Sequence, residues 1–282
     1  MPLGLRPLSH IRCVGSRPFT TSRRRLVVGT DVDSKTQQDE PPRLFGTVPS
    51  HRSYIFLHSS DPPASFPSRV STPIQRALQL RVLKWGGIVN FSWFEHSASV
   101  AIEGRNSATA FSTLGGRLEI PEISLENVDD IDKTLRAHAE GSLVEEGTSD
   151  DIHLYVCTHG ARDCRCGTTG GEVASALREE VARRLRTDPS GPISRVKVGE
   201  VGHVGGHQYA ANLLVYPHGE WLGRLKPHDV LSVLSSILEH APRPFSGQMP
   251  PLVPQHWRGR MGLSKDEQIQ LLDAHSHSSK SL

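Results

Sequence analysis

His153-Leu154-Tyr155-Val156-Cys157-Thr158-His159-Gly160-Ala161-Arg162-Asp163-Cys164-Arg165-Cys166-Gly167 is the stretch on which the reading of this chain turns. Its first four residues form a short, largely apolar run, which predicts a strand that delivers Cys157 at its C-terminal end. Ligands of α/β sheets collect at that end of strands. From about residue 171 to 186, Val173, Leu177, Val181 and Leu185 recur every four positions and predict the buried stripe of a helix. Val196, Val198 and Val201 alternate with other residues, which predicts a strand leading to His203. Residues 213–216, 217–220 and 221–225 read as strand, turn and strand. Residues 227–239 read as a helix carrying Val230, Leu231, Leu234, Ile237 and Leu238. The order βαβ–ββα over residues 150–240 is that of a thioredoxin-like domain.

The chemistry sits on the same stretch. Cys157 and Cys166 are nine positions apart; thirty-six residues later comes Gly202-His203-Val204-Gly205-Gly206-His207, with two imidazoles four apart. Thiolates and imidazoles together bind soft or borderline metals such as zinc, copper or the iron of an iron–sulfur cluster. Glycines let backbone come close to a bulky inorganic group that a Cβ would repel. A zinc site fits the histidine spacing, but the eight residues between the cysteines exceed the usual Cys-x₂₋₄-Cys knuckle. A Rieske centre uses the same ligand types in another order. Thiol–disulfide exchange through Cys157, Cys164 and Cys166 suits the fold but lacks the usual Cys-x-x-Cys. Incidental cysteines and surface histidines are the plain alternative, weakened by the glycine pair and the strand-end placement. The pattern reads as a redox-active metal-cluster site.

Cys157-x₈-Cys166 followed by His203-Val204-Gly205-Gly206-His207 resembles the Cys-x₈-Cys…His-x-Gly-Gly-His motif of the sucrase/ferredoxin-like family, in particular its fungal mitochondrial branch. Trp257-Arg258-Gly259-Arg260-Met261-Gly262 also looks like that family. The resemblance implies a thioredoxin-like ferredoxin with a [2Fe–2S] cluster outside the Rieske fold. It implies Cys157 and Cys166 on the iron that stays ferric, and His203 and His207 on the iron that is reduced. Cys164 has no ligand role in that scheme. Arg162 and Arg165 are candidates to offset negative charge, His159 to support the ligands from behind, and Tyr209 and Asn212 to hydrogen-bond near the histidines.

The remaining composition sets bounds. Hydrophobic content is 36% in 282 residues, with twenty prolines, which leaves room for a core plus tails. A net charge of +2 gives no argument for nucleic acid. No run of eighteen apolar residues occurs, so no membrane span is expected. Three of four cysteines crowd into ten positions, unlike a secreted disulfide framework. The first thirty residues hold Arg6, Arg12, Arg17, Arg23, Arg24 and Arg25, and no acid precedes Asp31. That is the composition of a mitochondrial transit peptide, and Arg17-Pro18-Phe19-Thr20-Thr21-Ser22 has the pattern of two-step matrix processing. The expected organisation is a transit peptide over 1–30, a linker over 31–50 and an α/β N-terminal domain over 51–145. The thioredoxin-like domain over 150–240 follows, then a proline-rich tail with a short terminal helix over 241–282. In the N-terminal domain, residues 54–58 and 88–94 read as strands. A helix starts at Ser71-Thr72-Pro73, and Asn127 caps another through Leu135. The functional expectation is an electron carrier of the mitochondrial matrix rather than a stand-alone enzyme. Its partners are then a protein redox partner and, for the presequence, the import machinery.

Overall fold

The computed structural model describes residues 42–95, 104–143 and 150–278. The transit peptide and most of the expected linker lie outside them. The described residues from Arg43 onward form one compact unit, built on a mixed α/β plan.

Strand β1 (Ser53–His58) is followed by helix α1 (Pro73–Val82), strand β2 (Gly87–Trp93), the hairpin β3 (Asn106–Ser112) and β4 (Gly116–Ile123), and helix α2 (Val128–Ala139). Strand β5 (Ile152–Cys157), helix α3 (Gly171–Thr187), strands β6 (Val196–Val201), β7 (Leu213–Tyr216) and β8 (Glu220–Leu222), and helix α4 (Val230–Leu238) repeat the same order. The pairing repeats too. β1 runs parallel to β2 and antiparallel to β3; β5 runs parallel to β6 and antiparallel to β7. Both halves are therefore thioredoxin-like βαβ–ββα units. They join edge to edge where β2 meets β6 antiparallel, at Ser92 with Val201 and Trp93 with Glu200. The result is one nine-stranded sheet, β4-β3-β1-β2-β6-β5-β7-β8 with strand β9 (Trp257–Arg260) on the far edge.

Strand alternation explains the layers, because successive side chains leave a strand on opposite faces. Ile55 and Leu57 pack with Leu78, Val82 and Leu135 under α1 and α2. Leu154 and Val156 pack with Val173, Leu177 and Leu234 under α3 and α4. The other faces meet each other: Tyr54, Phe56, Phe111, Tyr155 and Tyr216 share a third core with Cys157 and Cys166. The Phe56 and Tyr155 rings stack at 4.0 Å between centroids, as do Phe111 and Tyr216 at 4.6 Å. The sheet is thus bent back on itself about an aromatic layer, with helices outside.

Local signals account for most boundaries. Thr72 caps α1 by accepting from the Gln75 N–H at 3.1 Å. Asn127 precedes α2, but its side-chain oxygen accepts from the Ser124 N–H instead, and the helix runs to Ala139 rather than Leu135. The structure adds two features to those expected. The β3–β4 hairpin is an addition to the expected elements. The second is in the stretch expected as a proline-rich tail with a short terminal helix: strand β9 pairs with β8 and buries Trp257, Arg258 and Arg260 ahead of the terminal helix α5 (Lys265–Ser278), which is fourteen residues long. The reason is charge pairing within the core, since Arg260 reaches buried Glu220 on β8.

Candidate metal centre

Cys157 ends β5 and is 1% exposed; its N–H donates to the Asn212 carbonyl at 3.1 Å. Cys166 is fully buried. It begins a π-helical turn, Cys166–Gly170, that runs directly into α3. Such wide turns re-aim side chains relative to an α-helix and often mark functional sites. Gly170 is needed there, since a Cβ would stand 2.1 Å from the Cys157 carbonyl oxygen. Gly160 and Gly167 touch across the loop, where a Cβ on Gly167 would lie 2.7 Å from the Gly160 Cα. The loop between the cysteines therefore closes tightly and brings both thiols together. Cys164, two residues earlier, stays exposed.

The histidines arrive from the end of β6. His203 approaches the thiols: the donor atoms of Cys157, Cys166 and His203 all lie within 4.8 Å of one another. Cys166 Sγ stands 3.9 Å from His203 Nδ1. His207 lies one ring further out, its centroid 5.8 Å from that of His203, with half its side chain exposed. Gly205 and Gly206 between them take left-handed φ values of +82° and +66°, which glycine adopts without a Cβ clash. Around Gly205 a Cβ would meet nothing within 4 Å, so the loop leaves open space there.

Electrostatics follow from the packing. The Cys157 thiol is held well below the usual thiol range, first by a hydrogen bond from Cys166 and then by His203. Cys166 is pushed up by that same interaction and by burial. Within the pair, the interaction thus favours ionisation of one thiol at the expense of the other. Asp163 is held down at about 2, chiefly by Arg165, which it accepts from at 2.9 Å. The same carboxylate oxygen, Oδ2, also lies 3.8 Å from His207 Nδ1. His159 is buried behind the site. Its Nδ1 accepts from the His203 N–H at 3.3 Å and its Nε2 donates to the Pro67 carbonyl at 2.9 Å, tying the two halves together. A cavity of about 640 Å³ opens beside it, walled in part by Tyr54, Asn90, Arg162 and His203.

Three of the four expected ligands are therefore brought together, and His207 stands beside them. Of the supporting residues, Asn212 donates to the Gly206 carbonyl at 3.2 Å, whereas the Tyr209 hydroxyl donates away, to the Arg43 carbonyl. Two residues had no place in the sequence reading. Asp163 lay unremarked between singled-out neighbours. Arg258 was seen only within a family-like stretch. It is 2% exposed and lies beneath the His-Val-Gly-Gly-His loop, where a Cβ on Gly206 would meet its Nη2 at 2.4 Å.

Fold and site define a protein of two thioredoxin-like units, one of which presents a Cys–Cys–His group able to hold a metal. A model of the sucrase/ferredoxin-like family matches residues 44–259, and the chain belongs to that family. Altered inheritance of mitochondria protein 32 of Meyerozyma guilliermondii is 32% identical over 144 residues, covering 50% of this chain and 49% of that one. Actin patches distal protein 1 of Saccharomyces cerevisiae is 30% identical over 139 residues, covering 46% and 40%. The alignments thus span about half the length of these relatives or less. Among solved structures, a thioredoxin-like [2Fe–2S] ferredoxin from Aquifex aeolicus is 24% identical, with a TM-score of 0.27 over 32% of this chain and 82% of that one.

Proposed function

We propose that this chain is an electron-transfer protein that holds a [2Fe–2S] cluster on Cys157, Cys166, His203 and His207. The observation that carries the reading is the convergence of two buried thiols and one imidazole within 4.8 Å. The donor set suits iron, because thiolate and imidazole both bind it, and the glycine-lined space at Gly205 leaves room for a bulky inorganic group. When bound, such a cluster supplies reversible one-electron chemistry. The protein residues do the rest. Cys157 and Cys166 supply negative charge and are shut from water. His203 and His207 add neutral donors on the solvent side, which leaves the site less negative than four thiolates would. Half-exposed His207 faces outward, toward the surface at which a protein redox partner would dock.

Burial also separates this reading from thiol–disulfide exchange. A substrate thiol would have to reach Cys157 and Cys166, residues that are 1% and 0% exposed, whereas exposed Cys164 lies outside the Cys–Cys–His group. Zinc remains a chemical competitor for the same donors, so metal content decides. Anaerobic purification should yield iron and acid-labile sulfide in equal amounts, with an electron paramagnetic resonance signal after reduction. Zinc alone would overturn the reading. The acid-free, Arg-rich start supports import into mitochondria, with the matrix as destination, and the named relatives are consistent with that association. N-terminal sequencing of the mitochondrial protein should then begin between about residues 19 and 35, as presequences are removed on import. Intact Met1 in that organelle would count against it.

A further inference from the structure

We infer that Arg258 is the internal countercharge of the metal centre and sets how readily the site accepts an electron. This rests on the cluster reading above. Two arginines are buried on β9, at 2% and 1% exposure, and they differ in one respect. Arg260 is neutralised: its Nε donates to the buried Glu220 carboxylate, and its other nitrogens donate to the carbonyls of Ser246, Met249 and Pro250. Arg258 has no carboxylate among the described residues. Its nitrogens donate only to neutral oxygens: the Asn212 side chain at 2.8 Å, the Thr47 hydroxyl and carbonyl at 3.1 Å, and the Gly205 carbonyl at 3.4 Å.

A buried ion without an opposite charge costs several kcal/mol by order of magnitude, so buried ions are normally paired. Arg258 is tied to the site through Asn212, whose side chain accepts from it at 2.8 Å and whose carbonyl accepts from the Cys157 N–H at 3.1 Å; the groups near it that can carry a compensating negative charge are Cys157, Cys166 and the Tyr209 hydroxyl. The Tyr209 hydroxyl points away from the site and donates to the Arg43 carbonyl at 2.9 Å. That leaves the two sulfurs, which must be deprotonated to bind a metal. Uptake of one electron adds one more negative charge at the same place, with no bond made or broken. A fixed guanidinium beneath the Gly205–Gly206 backbone stabilises that added charge in a medium where water cannot screen it. The hydrogen bonds of Arg258 also fix its position, so the charge is held rather than mobile.

The test is a potentiometric titration with dithionite and mediator dyes on the full chain, with iron content and the paramagnetic signal recorded for each variant. Arg258→Gln removes the charge, Arg258→Lys keeps it, and Asn212→Asp leaves Arg258 in place but pairs it with a carboxylate. The expected result is a lower midpoint potential in Arg258→Gln and Asn212→Asp. Each shift should correspond to at least a tenfold weaker reduction, about 59 mV for one electron, with Arg258→Lys close to wild type. If Arg258→Gln fails to fold or load iron, Asn212→Asp decides alone. Loaded variants with unchanged potentials would overturn the inference. So would an Arg258→Lys shift as large as that of Arg258→Gln, since hydrogen bonding rather than charge would then be responsible. A wild-type protein without iron would refute the cluster reading itself, a distinguishable failure.

Discussion

At the scale of single residues, the site depends on which sulfur points where. Cys166 is aimed inward by a π-turn and Cys164, two residues away, is exposed. Cys157→Ser or Cys166→Ser should therefore lose the iron, because a hydroxyl is a poor substitute for a thiolate. Cys164→Ser should keep it. Iron per chain after purification checks this, and loss in Cys164→Ser but not in Cys166→Ser would reverse the assignment. The loop glycines make a second contrast. Gly205→Ala meets only left-handed strain, about 1–2 kcal/mol for a residue with a Cβ. Gly206→Ala meets the same strain and a Cβ 2.4 Å from the Arg258 guanidinium. Urea unfolding should show Gly206→Ala as the more damaging, and equal losses would mean that Arg258 does not pack under the loop. The ligand positions were legible because thiols and imidazoles at fixed spacing have few other uses. Arg258 was not, because nothing local in Trp257-Arg258-Gly259-Arg260 distinguishes a buried arginine from a solvated one.

At the scale of elements, the strands around the site read well from sequence. β5 and β7 carry apolar runs, β6 an alternation, α3 a four-residue stripe and α4 helically spaced apolar residues, and each lies close to its expected place. β9 did not announce itself. Two of its four residues are arginines, and the core supplies partners for both: Glu220 and backbone carbonyls for Arg260, and Asn212, Thr47 and the Gly205 carbonyl for Arg258. Long-range pairing of that kind leaves no trace in a local pattern. The pair also gives a prediction. Burial pushes the Glu220 carboxyl up, and Arg260 opposes that shift. Removing one partner leaves the other charged and buried, which costs about 3–5 kcal/mol. Glu220→Gln should lower the urea midpoint accordingly; a loss under about 1 kcal/mol, the size typical of an exposed pair, would show that the pair is solvated.

At the scale of the whole molecule, two βαβ–ββα units share one bent sheet and an aromatic layer, but only the second carries Cys157, Cys166 and His203. The duplication was hidden because the first unit has the same topology without the motif, and its β3–β4 hairpin lacks strong alternation in sequence. Its visible role at the site is to cover one side, through Pro67 and His159. The protein interior buries imidazoles as well as aromatic rings. Burial lowers His51 and His218 to about 4 and His153 to about 3. In the unfolded chain each titrates near 6.5, so between that value and the folded ones the unfolded state binds more protons. Stability is therefore full above about pH 6.5 and is lost as pH falls toward 4. Urea midpoints of the metal-free protein should drop steadily from pH 7 to 5, and His153→Phe should flatten that slope. A midpoint constant across the window would mean that these imidazoles reach water.

Cys157, Cys166 and His203 converge within 4.8 Å, and the central proposal is that they hold iron and sulfide. Its most direct measurement is iron, sulfide and zinc analysis of the anaerobically purified protein beside its Cys166→Ser variant, with electron paramagnetic resonance after dithionite reduction. The account expects iron and sulfide in equal amounts and a reduced-state signal in the wild type, and neither in the variant. Zinc without sulfide, or iron and signal undiminished in Cys166→Ser, would contradict it.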